Sequence, residues 1–265
     1  MKISIITPSL NAKPWIRACV ESVAMQNVPD LEHIVIDGGS SDGTLDELSK
    51  LALEYPHLSW QSSKDKGQSD AMNLGFSDST GLIIGFLNSD DFLADRALPS
   101  VLETFESNPD VDIVVGNLAI VNGEDEILLQ SSVRMIDLLF CQSFKWPLNP
   151  SCYFYKRQVQ EALGPFPIDE HFVMDYWFLL RPYRDFRRIR IDRLLGYFRC
   201  HDHNKSRVDR SIRDRLESRR REFLLERESL RWLLLWRLLS TASAAKAATL
   251  RLLYYCKESL ASMSS

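Results

Sequence analysis

From Lys2 to Asn117 short apolar runs alternate with segments of helical periodicity. KISIIT (2–7) predicts a strand, and Pro14 to Gln26 predicts a helix with Asn11 near its start. HIVID (33–37) predicts a second strand. Thr44 to Tyr55 follows as a helix, with Leu45, Leu48, Leu51 and Ala52 on one face. LSWQ (58–61) is a third strand, Gln68–Phe76 a short helix, and LIIGFL (82–87) a fourth strand. A helix near Asp95–Glu106 and a strand at VDIVVGN (111–117) complete this half. Strands buried on both faces read as continuous apolar runs, and alternation with helices implies right-handed crossovers. The pattern predicts an α/β fold: an open, mostly parallel sheet with helices on both faces.

The second half is less regular. Residues 118–133 predict a hairpin turning at NGEDE (122–126). CYFY (152–155) is a strand, Gln158–Leu163 a short helix ended by Gly164-Pro165, Met174–Leu180 a helix, and Arg187–Arg199 an extended segment. From Ser211 onward turn residues vanish and Leu, Trp and Arg dominate, which predicts one or two long helices. The organisation is thus a domain over 1–207 and a helical extension over 208–265.

Composition changes this picture little. With 45% hydrophobic and 26% charged residues and a net charge of −4, the chain lacks both a nucleic-acid binder's basic footprint and the bias of a disordered one. The five cysteines are scattered, without C-x-x-C, and read as reduced core residues of a cytosolic protein. The opening MKISIITPSLN reads as a strand, not a signal peptide.

The chemistry gathers at the strand ends, where open α/β sheets place their ligands. The first predicted strand ends in Thr7-Pro8 and the second in Asp37, followed by GGSSDGT. The third leads to KDKGQSDAMN, and the fourth stops at Asn88-Ser89-Asp90-Asp91. The last group is either a turn and cap or an acidic site. Carboxylates gathered on one rim repel one another and call for a hard cation, Mg²⁺ or Mn²⁺, itself bridged to phosphates. No Walker loop and no G-x-G-x-x-G follows the first strand, which disfavours P-loop and dinucleotide-binding proteins. Gly38, Gly39 and Gly43 read as backbone-geometry residues, and Asp42 as a cap for the helix at Thr44.

In order along the chain, SIITPSLNAKPWIRACVESVAMQ, IVIDGGSSDGT, DKGQSDAMNLGF with IIGFLNSDDF, FVMDYWFLLR and GYFRCHDHNKS resemble glycosyltransferase family 2. The resemblance implies the GT-A fold, with a donor half at about 1–117 and an acceptor half at 118–207. It implies an inverting transfer from a nucleotide-diphosphate sugar, UDP-linked in the typical case, to a saccharide or lipid-linked hydroxyl in surface polysaccharide synthesis. It places Thr7, Pro8 and Asn11 in the nucleotide pocket, Asp37 on the base, and Asp65, Gly67 and Asn73 on the donor side. Asn88, Ser89 and Asp91 would border the donor, and Asp90 would hold the divalent cation. His201 would ligate the metal or touch the diphosphate, Arg199 would help with its charge, and Asp175 would be the general base. One departure is Asn88, which stands where relatives often carry the first Asp of an Asp-x-Asp. A nucleotidyltransferase and an inactive nucleotide-binding relative are the rival readings. The first expects a Gly/Arg/Lys-rich loop that TPSLNAKP lacks, and Asn88 alone favours the second.

His203 and Cys200 read as structural, and Trp146 as either acceptor-lining or core. Residues 211–265 carry eleven Lys/Arg against six Asp/Glu. Its segment 230–256 is too charged for an easy transmembrane span and reads either as an interfacial helix or as a helix packed on the domain or in a homodimer.

Overall fold

The computed structural model describes residues 1–131, 149–169, 185–202 and 204. The elements run β1 (Ile3–Ser9), α1 (Ile16–Ala24), β2 (Leu31–Asp37), α2 (Thr44–Glu54), β3 (Leu58–Ser62), α3 (Gln68–Asp78), β4 (Ile83–Phe86), β5 (Phe92–Leu93) and α4 (Ala97–Ser107). They continue with β6 (Ile113–Val121), β7 (Ile127–Ser131), a 3₁₀ turn at Pro150–Cys152, β8 (Tyr153–Lys156), α5 (Arg157–Leu163) and β9 (Arg188–Arg199). The strands and helices read from residues 1–131 are present, the hairpin turns at 122–126, and β5 is an addition. The expected helix at Met174–Leu180, Trp146, Asp175 and the extension after 204 lie outside the described residues.

The sheet order is β3-β2-β1-β4-β8-β6-β9-β5, with β7 paired to β6. The parallel expectation holds over β3-β2-β1-β4 and again for β6 and β9. The pairs β4–β8, β6–β8, β6–β7 and β5–β9 are antiparallel, so the sheet as a whole is mixed. β7 returns on β6 through the tight turn at 122–126, and strands joined by such a turn run antiparallel.

Side chains alternate across β1. Ile3 and Ile5 join Cys19 and Val23 of α1 and Leu98, Val101 and Phe105 of α4 in one core. Ile6 joins Met72 of α3 and Val159 of α5 on the opposite face. Helix α2 packs through Leu48 and Leu51 against Val35 and the α1 residues Ile16 and Val20. Helices therefore cover both faces. Cys19 and Cys152 are buried within these cores, and burial raises the Cys19 thiol far above its ordinary value.

The sheet must also curl. Phe86 ends β4 and Phe92 begins β5, yet β8, β6 and β9 lie between them in the sheet. Four strand spacings span about 19 Å. Six residues reach about 20 Å only when fully extended. Here they contain a turn, in which the Asp91 N–H donates to the Asn88 carbonyl at 3.0 Å. The curl carries the acidic turn from the end of β4 to the far edge, where Phe92 pairs with Tyr197.

One buried polar contact sits between β1 and β2. His33 is fully buried, with Nε2 2.9 Å from Thr7 Oγ1 and Nδ1 without a partner. A bare lone pair is cheaper to leave unsatisfied than an N–H, so Nε2 is the nitrogen assigned the proton. Burial, with a smaller contribution from nearby His57, pushes His33 down to about 3. Between about pH 6.5 and pH 3 the unfolded chain binds this proton and the folded chain does not, so stability falls with pH across that window. The loss from this one group is up to about 1.4 kcal/mol per pH unit. The His33→Gln variant should therefore show a shallower loss of urea stability between about pH 6.5 and about pH 4.5 than the native chain. Equal slopes would mean that His33 titrates normally in the fold.

Candidate active site

The loops after β1, β2 and β3 are tied to one another before any ligand is considered. The Asp37 carboxylate is buried and accepts from the Gly39 and Ser40 N–H groups at 3.0 and 2.8 Å and from the hydroxyls of Ser40 and Ser62. Those four donors match the acceptor capacity of a carboxylate. Asn11, at φ 50°, bridges to the same loop: its N–H donates to Ser40 Oγ and its Oδ1 accepts from the Ser41 N–H. Asp42 accepts from the Thr44 N–H and from the Lys13 N–H, joining the start of α2 to the loop before α1. Gly39 and Gly43 lie at φ 92° and 94°, where glycine is the default residue. A Cβ on Gly38 would come within 2.9 Å of Asp65 Oδ2, whose other oxygen accepts from the Gly67 N–H.

The two adjacent aspartates do different things. Asp91 is fully buried. Its Oδ2 accepts from Asn149 Nδ2 at 2.8 Å and Asn88 Nδ2 at 3.0 Å, and its Oδ1 from the Arg199 N–H at 3.0 Å. Burial pushes its carboxyl up and the neighbouring Asp90 adds to this, while the donors on Asn149, Arg199 and Asn88 pull down. Asp91 thus joins the acidic turn to the 3₁₀ turn and to the end of β9. Asn88 completes this arrangement, with Oδ1 accepting from Gln68 Nε2 at 2.8 Å. Ser89 lies half-buried in the turn.

Asp90 faces the other way. Its side chain keeps 28% exposure, and its Oδ2 lies 3.1 Å from His201 Nε2 and 3.2 Å from Asn204 Nδ2. The imidazole stacks on Trp15, with ring centroids 5.4 Å apart and planes at 19°. The His201 N–H donates to Asn204 Oδ1, so the amide holds the loop that carries the imidazole. No group of three or more His, Cys, Asp or Glu placed to hold a metal occurs among the described residues. Two ligands suffice for an ion that completes its shell with water and phosphate oxygens. Adjacent ligands of an octahedral ion at about 2.1 Å are about 3 Å apart. The 3.1 Å between Asp90 Oδ2 and His201 Nε2 fits such a pair. The carboxylate suits a hard ion such as Mg²⁺ or Mn²⁺, and the imidazole favours the transition metal of the two.

Several expected donor contacts are instead engaged within the protein. The Thr7 hydroxyl faces His33 and Cys19 in the core. Pro8 is buried in β1 opposite Ile36. The Asn73 amide forms a two-point clamp on the Phe166 backbone, at 2.9 and 2.8 Å. The Arg199 guanidinium is buried and bound in fork geometry to Asp125, at 2.8 and 3.1 Å. It lies over the Trp15 and Phe92 rings, 4.7 and 4.8 Å from their centroids, and donates to the Asp90 carbonyl at 2.7 Å. Trp15, Gln68, Asp125, Asn149 and Asn204 did not stand out in the sequence. Asn149-Pro150 was a turn signal that could have singled out Asn149. Ser9 Oγ, at the end of β1, is buried without a partner.

With this geometry in hand the chain can be compared with known proteins. The family profile for glycosyl transferase family 2 matches residues 4–174, so the chain belongs to glycosyltransferase family 2. It is 31% identical over 185 residues to a PGL/p-HBAD biosynthesis glycosyltransferase of Mycobacterium bovis, covering 67% of this chain and 68% of that one. It is 30% identical over 178 residues to an uncharacterized glycosyltransferase of Nostoc, covering 64% of this chain but 54% of the relative. Among solved structures it resembles S. aureus TarS 1-349 in complex with UDP, with TM-score 0.67 and 18% identity over 86% of this chain and 67% of that one. The mannosyltransferase PcManGT from Pyrobaculum calidifontis, in complex with GDP-Man and Mn²⁺, gives TM-score 0.66 and 19% identity over 86% and 65%. These neighbours define the fold as GT-A type.

The split between the two aspartates is measurable. Replacing Asp91 by Asn sets an amide N–H against at least one of three donors, which should cost about 2–4 kcal/mol in urea unfolding. Asp90→Asn should change stability by less than about 1 kcal/mol, since the side chain is partly solvated. Equal losses would contradict the opposite orientations of the two side chains.

Proposed function

We propose that the chain transfers a sugar from a nucleotide-diphosphate donor to a hydroxyl of a saccharide or lipid-linked acceptor, with inversion at the anomeric carbon. The observation that carries this is the convergence of Asp90 and His201, 111 residues apart, beside the rim formed by the β1, β2 and β4 loops. The solved neighbours support it, one described with UDP-GlcNAc and another with GDP-Man and Mn²⁺.

In this reading Asp90 and His201 hold a divalent cation, Mn²⁺ or Mg²⁺. When bound, that ion supplies Lewis-acid stabilisation for the diphosphate leaving group. The chain's own residues do the rest. Asp37, fully engaged by its loop, shapes the backbone that meets the nucleotide instead of reading the base itself. Ser9 Oγ offers a polar group with no competing partner there. Asn11, Asp65 and Gly67 keep the loops in register. The acceptor oxygen forms its bond to the anomeric carbon as the bond to the diphosphate oxygen breaks, with the electron pair leaving on the diphosphate. Asp175, assigned from the family resemblance, takes the acceptor proton as general base. A single attack from the opposite face inverts the centre.

Among the described residues no helix is long and apolar enough to cross a membrane. The cation-rich segment 230–256 would lie at the cytoplasmic membrane surface and bring the site to a lipid-linked acceptor. Residues 1–117 serve the donor and 118–207 the acceptor, apart from His201, which reaches back to the donor's cation.

The deciding measurement is calorimetric titration of UDP, GDP, dTDP and CMP into the intact chain, with and without Mn²⁺, repeated on Asp90→Ala. One nucleoside diphosphate should bind in a Mn²⁺-dependent way, weakened at least about tenfold in the variant. Binding unaffected by metal or by the substitution would remove Asp90 from the site. In parallel, Asp175→Asn should retain donor binding and lose transfer by about a hundredfold or more. Unchanged turnover would overturn the base assignment.

A further inference from the structure

Asp125 sits in the turn between β6 and β7, with half of its side chain exposed, where a carboxylate has no evident task. Yet it is bound through both oxygens to Arg199, whose side chain is 2% exposed. The turn is built to present it. Asn122 Oδ1 accepts from the Glu124 and Glu126 N–H groups at 3.0 and 2.9 Å, and the Asp125 N–H donates to the Asn122 carbonyl at 3.1 Å. Asp125 itself lies at φ 63°, a left-handed position that aspartate tolerates better than most residues. Strand β6 runs parallel to β9 with Val121 opposite Arg199, so a turn placed just beyond Val121 folds back over the guanidinium.

Arg199 in turn touches the groups assigned to the cation. Its Nη1 donates to the Asp90 carbonyl, its N–H donates to Asp91, and its carbonyl accepts from Asn204 Nδ2. The guanidinium stacks on one side of Trp15 and also on Phe92, while His201 stacks on Trp15. One side chain is thus bonded to the backbone of one expected ligand and joined through an aromatic ring to the other. An Arg⁺ this close to the pair opposes the entry of a divalent cation unless its charge is answered. The only ion-pair partner recorded for Arg199 among the described residues is Asp125.

We propose that Asp125 is a positioning residue for the Asp90–His201 pair, acting through Arg199: the hairpin turn latches the guanidinium in place and cancels its charge. This rests on the reading of Asp90 and His201 as metal ligands. Partners of this kind typically change metal affinity by about 10–100-fold when removed.

The test is Mn²⁺ binding to the full chain, read from the EPR signal of free Mn²⁺, with Mn²⁺ alone and with Mn²⁺ plus UDP. Native protein, Asp125→Asn, Asp125→Glu and Asn122→Ala are compared below their melting temperatures. Val101→Ala, in the α4 core, serves as a control for lost stability. Asp125→Asn should raise the Mn²⁺ dissociation constant about tenfold, and Asp125→Glu should recover most of that loss. Val101→Ala should leave it unchanged at a comparable fall in Tm. A dissociation constant for Asp125→Asn within about twofold of the native value would overturn the latch. If Asp125→Asn does not fold, Asn122→Ala decides, because it keeps both charges and loosens only the turn. It should weaken Mn²⁺ binding about threefold, and an unchanged value overturns the proposal. If the native chain itself binds no Mn²⁺, with or without UDP, the metal reading fails and the latch with it, a result distinct from one seen only in the variants.

Discussion

A buried guanidinium imposes severe conditions on its surroundings. Its charge must be paired and its donors answered, or it will not stay buried. At Arg199 the answers come from three parts of the chain: the Asp125 carboxylate, the Asp90 carbonyl with the nearby Phe92 ring, and the face of Trp15. Tyr197 stacks on Phe92 at 4.5 Å and His201 on Trp15 at 5.4 Å, so a column of ring and cation contacts links Tyr197, Phe92, Arg199, Trp15 and His201. That column explains why β5 exists. Two residues make a poor strand, but Phe92 is held by Tyr197 through the ladder and by Arg199 through its face. The acidic turn is then fixed at both ends, by β4 on one side and by this column on the other.

The first half of the molecule was legible because each β–α unit buries its apolar stripe against its neighbours in sequence. Local pattern and final structure agree there, from Ile3 through Phe86 and again over Ala97–Ser107. The two part where pairing is long-range. Nothing local marks Phe92-Leu93 as a strand, since its partner is Gly196-Tyr197. The mixed strand directions were equally hidden, because β8 inserts between β4 and β6 although it follows both in the chain.

The site shows the same division. Neighbouring aspartates look interchangeable in a sequence, yet a single turn sends Asp91 inward to Asn149 and Asp90 outward to His201. Arg199 reads as a phosphate ligand until Asp125 is found across it. Thr7 and Asn73 read as donor contacts, and their polar atoms turn out to join β1 to β2 and α3 to the loop at Phe166. Motif position pointed to residues that the fold brings together at one rim. It did not separate groups that meet solvent from groups that hold the backbone, because that choice is made by partners far away in sequence.

The separation of Asp90 from His201 along the chain has a consequence for how the protein comes into being. The strand pairings of the parallel half, β1 to β4, all lie within the first 86 residues. The paired groups at the rim cannot meet until β9 has docked beside β6, and contacts between such remote segments form slowly. During synthesis the amino-terminal part emerges and folds first. A nascent chain would therefore carry a finished platform of loops well before it had the pair that stands over it. The meeting of Asp90 and His201 would wait for β9 and come as one event with the closing of the sheet.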